Sequence, residues 1–173
     1  MDKIKIIGGN PLFGKVFISG AKNTALPIIC ASLLTDETVT LHNLPILSDI
    51  TSLNLLLQQI GTQIEGKQEE LNGHITQTFT YYTPKPTSLV APYDYVRKMR
   101  ASYYVLGPLL TKYRHVELSL PGGCAIGARP MDIHLSSLEQ MGAHIEIKNG
   151  YVIADVKDRL KGCLLYTSPS PRD

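Results

Sequence analysis

The sequence predicts an α/β protein assembled from repeated strand–helix units, and three observations carry that prediction. Short strand-like runs such as Val39–Leu44 alternate with longer runs whose apolar residues recur at three and four positions, such as Ile50–Ile60. The stretch Leu57-Gln58-Gln59-Ile60-Gly61-Thr62-Gln63-Ile64-Glu65 recurs as Leu138-Glu139-Gln140-Met141-Gly142-Ala143-His144-Ile145-Glu146, at a constant offset of 81 residues (138 − 57). Such internal duplication is the mark of stacked copies of one supersecondary unit. Finally, 173 residues with 43% hydrophobic and 18% charged content have the size and balance of one ordinary globular unit.

Taken in order, Lys3–Ile7 and Lys15–Ser19 read as strands, and Lys22–Leu34 reads as a helix interrupted near its start by Pro27. Val39–Leu44 is a further strand. Asp49 is placed to cap a helix that runs to Ile60, with Ile50, Leu53, Leu56, Leu57 and Ile60 on one face and Gly61 as its stop. The segment Thr62–Tyr82 reads as strands joined by a hairpin at Leu71-Asn72-Gly73-His74, because Asn-Gly suits a tight turn. After Thr83-Pro84-Lys85-Pro86, a helix is expected from Asp94 to about Tyr113, kinked or split by Pro108. The second unit follows: a strand at His115–Leu120, a glycine-rich loop, a helix over Met131–Met141, and a hairpin pairing Ala143–Lys148 with Tyr151–Val156 through Asn149-Gly150. Within the repeat, Lys15–Gly20 and His115–Leu120 read as matching strands that each enter a loop. The ending Cys163–Asp173, with its alternating Ser-Pro, fits none of this periodicity and reads as a disordered tail foreign to the fold.

Composition excludes several function classes. The net charge is +2 and the basic residues are scattered, so no nucleic-acid partner is expected. No apolar run approaches the roughly 18 residues of a membrane span, and the amino terminus lacks a secretory signal, so the expected location is the cytoplasm. Cys30, Cys124 and Cys163 are widely spaced, with no CxxC pair and no zinc spacing; this argues against disulfides, structural metal and thiol redox chemistry. Cys30 lies in the apolar run Ile28–Leu34 and reads as buried filler.

Chemistry concentrates in Leu120-Pro121-Gly122-Gly123-Cys124-Ala125-Ile126-Gly127-Ala128-Arg129-Pro130, where glycines and prolines place a thiol on a loop. Arg129 supplies positive charge that favours the thiolate. On its own the motif divides evenly between a reactive thiol and an incidental one. A second candidate is Lys22-Asn23, directly after Gly20-Ala21 at a helix start, where amides and the helix dipole favour an anion. Arg97, Lys98 and Arg100 alone would be a solvated helix face.

Together, Gly20-Ala21-Lys22-Asn23, Val96-Arg97-Lys98-Met99-Arg100-Ala101-Ser102 and the Cys124 loop resemble the enolpyruvyl transferase family, in its UDP-N-acetylglucosamine 1-carboxyvinyltransferase branch. The resemblance runs from the first residues to about Gly162, over the amino-terminal portion of a family chain more than twice as long. It implies an inside-out α/β barrel, present here as an incomplete domain. Residues 1–20 would be strands normally shared with the other family domain, 21–162 a partial transferase domain with about two of its three units, and 163–173 outside the family; some apolar surface would be left exposed.

The implied reaction is an addition–elimination in which the 3′-hydroxyl of UDP-N-acetylglucosamine attacks C2 of phosphoenolpyruvate and phosphate leaves, opening peptidoglycan synthesis. The resemblance makes Cys124 the proton donor, the site of a covalent phospholactoyl adduct and the target of fosfomycin. Lys22, Asn23 and Arg129 would hold phosphoenolpyruvate, while Arg100, Arg129, Pro130, Met131, Asp132, Ile133 and His134 would line the nucleotide-sugar site. No cofactor, metal or obligatory protein partner is implied. The family's general base, an aspartate, falls beyond this chain, so the chain by itself is expected to be inactive. Two other readings compete: a non-catalytic nucleotide-sugar-binding remnant, and the shikimate-pathway enolpyruvyl transferase, whose family lacks the cysteine loop.

Overall fold

The computed structural model describes residues 3–71, 73–97, 99–120 and 131–165, with the side chains of Leu71 and Arg100 outside that description. Its first regular element is a helix, α1 (Lys22–Ala31), continued by a 3-10 turn over Ser32–Leu34. The strands expected at Lys3–Ile7 and Lys15–Ser19 are absent. A strand needs a neighbour for its amides and carbonyls, and both sheets of the chain pair elsewhere. The apolar side chains of this segment are accordingly open to solvent, with Ile4 91% and Phe13 93% exposed. Pro27 does not interrupt α1, which continues through it. Its ring removes the amide that the Asn23 carbonyl would accept, and Asn23 is exposed, where water can serve that carbonyl.

Next come β1 (Val39–Leu44), α2 (Ser48–Ile60), β2 (Gln63–Leu71) and β3 (His74–Tyr82). Both β1 and β2 run antiparallel to β3, in the order β1-β3-β2, so α2 is the crossover between two parallel strands. The expected apolar face of α2 is wholly buried: Ile50, Leu53, Leu56, Leu57 and Ile60 lie in the core. Asn54 also faces inward, where its Oδ1 accepts the Tyr81 hydroxyl at 3.1 Å. The expected cap at Asp49 is corrected. Leu47 begins the helix without a side-chain cap, and Asp49 sits in the first turn, where a carboxylate still complements the dipole.

The single helix expected over Asp94–Tyr113 is three pieces. After β4 (Val90–Ala91) come α3 (Tyr93–Val96), a 3-10 segment over Arg100–Val105, and α4 (Leu106–Tyr113). Pro108 occupies the first turn of α4, where its missing amide has no intrahelical acceptor to lose.

The remaining elements are β5 (His115–Ser119), α5 (Asp132–Gln140), β6 (His144–Lys148) and β7 (Tyr151–Asp155). They repeat the first unit. β5 and β6 flank β7 antiparallel, in the order β5-β7-β6, with β4 added parallel to β5. The hairpin turn is Asn149-Gly150, both left-handed at φ 52° and 78°, as a primed turn requires.

The duplication extends to single hydrogen bonds. Thr62 N–H donates to the Leu57 carbonyl at 2.9 Å, and 81 residues on Ala143 N–H donates to Leu138, also at 2.9 Å. Gly61 donates to Gln58 and Gly142 to Glu139, at 3.1 and 2.9 Å. Each pair is the glycine-ended helix stop that folds the chain back into a strand. The structural counterpart of His115–Leu120 is therefore β1, not Lys15–Gly20. Three residues, 45–47, join β1 to α2, whereas twelve, 120–131, join β5 to α5. The longer connection holds the Cys124 motif.

Candidate functional site

Two of the expected site residues open α1. Ala21 before them is extended and provides no side-chain cap, so the Lys22 and Asn23 amides have no intrahelical acceptor. The first turn of α1 carries no acidic residue, which leaves the positive end of its dipole uncompensated from within. Compensation comes from the next helix: Lys22 Nζ donates to Asp49 Oδ2 at 2.9 Å. About half of the Lys22 side chain remains exposed, so the amine is accessible while paired. Sequence reasoning missed this partner, because Asp49 read as a cap and nothing in a separation of 27 residues signals contact.

Arg100 begins the 3-10 segment, Arg100–Val105, that packs on α1. Arg97, on the same stretch, is held locally, 3.4 Å from Asp94 and over the Tyr93 ring. Met131 is buried at the entry to α5, and Asp132 is that helix's first residue and its first-turn acid. Met131 and His134 line a cavity of about 300 Å³ with Tyr103, Tyr104 and Leu106. The cavity thus joins the segment that starts at Arg100 to the one that starts at Met131. Ile133, 45% exposed, and Asp132 are not in its lining. Cys124, Arg129 and Pro130 lie outside the described residues.

Cys30 is buried in the core, and burial pushes its thiol up to about 12, which keeps it protonated and inert as a nucleophile. Among the described residues no group of His, Cys, Asp and Glu side chains forms a metal site, and no helix is long and apolar enough to cross a membrane.

The repeated β-α-β-β units place the chain among the enolpyruvyl transferase folds. The enolpyruvyl transferase NikO of Streptomyces tendae superposes with a TM-score of 0.66 at 22% identity, over 90% of this chain and 32% of that one. An EPSP synthase of Acinetobacter baumannii gives 0.58 at 19% identity, over 87% and 33%. Residues 6–170 match the EPSP synthase (3-phosphoshikimate 1-carboxyvinyltransferase) family, and the chain belongs to it. Its curated relatives include proteins named UDP-N-acetylglucosamine 1-carboxyvinyltransferase. That of Campylobacter fetus is 54% identical over 162 residues, and that of Paramagnetospirillum magneticum 52% identical over 163. Each alignment takes in 94% of this chain but only 37% or 38% of the relative, so the chain spans little more than a third of their length.

Proposed function

We propose that this chain is the amino-terminal portion of an enzyme that transfers the enolpyruvyl group of phosphoenolpyruvate to the 3′-hydroxyl of UDP-N-acetylglucosamine, with release of phosphate. The observation that carries the reading is the identity of about half its residues with relatives bearing that enzyme's name. The geometry of α1 supports it, because a lysine and free amides at one helix start suit a trianionic donor. In this reading Lys22, Asn23 and Arg129 hold the phosphate and carboxylate. Cys124 delivers the proton to C3 of phosphoenolpyruvate and is the sulfur that fosfomycin alkylates. Arg100 and the segment from Arg129 to His134 receive the nucleotide sugar, a reading supported by the one cavity that Met131 and His134 share. The enzyme works in the cytoplasm at the entry to peptidoglycan synthesis.

Chemistry of this kind needs a base for the hydroxyl proton as well as an acid for C3. The base belongs to the part of the relatives beyond this chain. Phosphate release is therefore the test: the 173-residue chain alone releases none from phosphoenolpyruvate and UDP-N-acetylglucosamine, while the chain joined in frame to the remaining portion of the Campylobacter fetus relative does. Turnover by the chain alone would remove the requirement for a base beyond it.

A further inference from the structure

We propose that Asp49 is the positioning residue for Lys22, holding its ammonium over the start of α1 for the anionic substrate; this rests on the reading that Lys22 receives phosphoenolpyruvate. The two residues occupy the first turns of different helices, α1 and α2, which pack side by side. Gly20 fixes where α1 begins, because it meets the Asn43 carbonyl at the end of β1 with no room for a side chain. A lysine has four flexible methylenes and three ammonium donors. One donor is spent on Asp49 Oδ2 at 2.9 Å, and two remain for an incoming oxyanion beside the unpaired amides of the same turn. Asp49 itself lies in the first turn of α2, where a carboxylate complements that helix's dipole. Holding the stem in one rotamer before the substrate arrives lowers the ordering cost of binding.

A carboxylate this close also repels an anion, so the sign of the effect separates a positioner from a competitor. The probe is acylation of Lys22 by an amine-reactive ester in the 173-residue chain, read by peptide mapping over a titration of phosphoenolpyruvate, with inorganic phosphate as a parallel arm. The expected result is that Asp49→Asn accelerates Lys22 acylation and raises the phosphoenolpyruvate concentration for half-protection by about twofold to fivefold, the scale of an exposed ion pair. Asp49→Glu restores both values, and urea midpoints of the three chains agree. Unchanged or tighter protection in Asp49→Asn overturns the positioning role alone. Absence of protection in the unsubstituted chain overturns the phosphoenolpyruvate reading of Lys22, and the positioning role with it.

Discussion

Gly20 faces the carbonyl of Asn43 so closely that a Cβ at residue 20 would overlap the oxygen. Asn43 is itself left-handed, at φ 55°, and its Oδ1 accepts the Thr76 hydroxyl at 3.1 Å, so the loop end of β1 is pinned from two sides. The start of α1, with Lys22 and Asn23, is seated on that pinned point. Gly20→Ala should therefore move the helix start rather than the loop. The expected loss is about 1–3 kcal/mol, the range of an overpacked site, together with faster acylation of Lys22 as it parts from Asp49. Urea denaturation and peptide mapping check the two effects.

The paired glycines at the helix stops should not respond alike. Gly61 (φ 112°) and Gly142 (φ 100°) both have left-handed backbones that L side chains avoid. A Cβ at Gly61 would in addition lie 2.7 Å from the Thr87 amide nitrogen, whereas at Gly142 it meets nothing within 4 Å. Gly142→Ala should cost about 1–2 kcal/mol, the left-handed penalty alone, and Gly61→Ala distinctly more. Equal shifts in urea midpoint would show that Thr87 yields freely.

The duplicated leucines are a second unequal pair. Leu57 is fully buried in α2, while Leu138 is half-buried on α5, a helix with no fully buried residue. Leu57→Ala should cost about 2–5 kcal/mol, as core truncations do, and Leu138→Ala much less. Denaturation midpoints measured side by side decide it.

Much of this architecture was legible because local chemistry dictates it. The α2 stripe from Ile50 to Ile60, the Asn149-Gly150 turn and the 81-residue repeat all follow from periodicity and turn preference, and all stand in the structure. What was not legible depends on partners distant in the chain. Lys15–Ser19 has the residues of a strand but no neighbour to pair with, and Asp49 pairs with Lys22 instead of capping its own helix. The stretch Asp94–Tyr113 is broken between α3, which ends at Val96, and the 3-10 segment that begins at Arg100, a division that Pro108 alone did not foretell. Of the candidate site, Lys22 and Asn23 open α1, Met131 and His134 line one cavity, Asp132 and Ile133 begin α5 outside it, and the Cys124 loop lies outside the described residues.

Cys30 provides a pH test. Burial raises its pKa from 9.0 to about 12, so the folded chain keeps a proton that the unfolded chain gives up earlier. That contribution to stability is complete below about pH 9 and is lost as pH climbs toward 12. Tyr81, also raised by burial, acts in the same direction. Urea midpoints at pH 8 and pH 10.5 should fall further in the unsubstituted chain than in Cys30→Ala. At pH 8 the buried Cys30 thiol stays protonated, so an electrophile should label Cys124 well ahead of it. Peptide mapping that found Cys30 first would contradict both the burial and the tuned loop.

If, as proposed, this chain supplies the donor site and cysteine loop of a UDP-N-acetylglucosamine 1-carboxyvinyltransferase, its acceptor is the nucleotide sugar and not 3-phosphoshikimate, although it belongs to the EPSP synthase family. The chimera with the Campylobacter fetus relative, offered phosphoenolpyruvate with either UDP-N-acetylglucosamine or 3-phosphoshikimate, addresses that choice directly. The account predicts phosphate release with the nucleotide sugar, none with 3-phosphoshikimate, and loss of release in Cys124→Ala. Release with 3-phosphoshikimate, or a folded chimera that turns over neither acceptor, would contradict it.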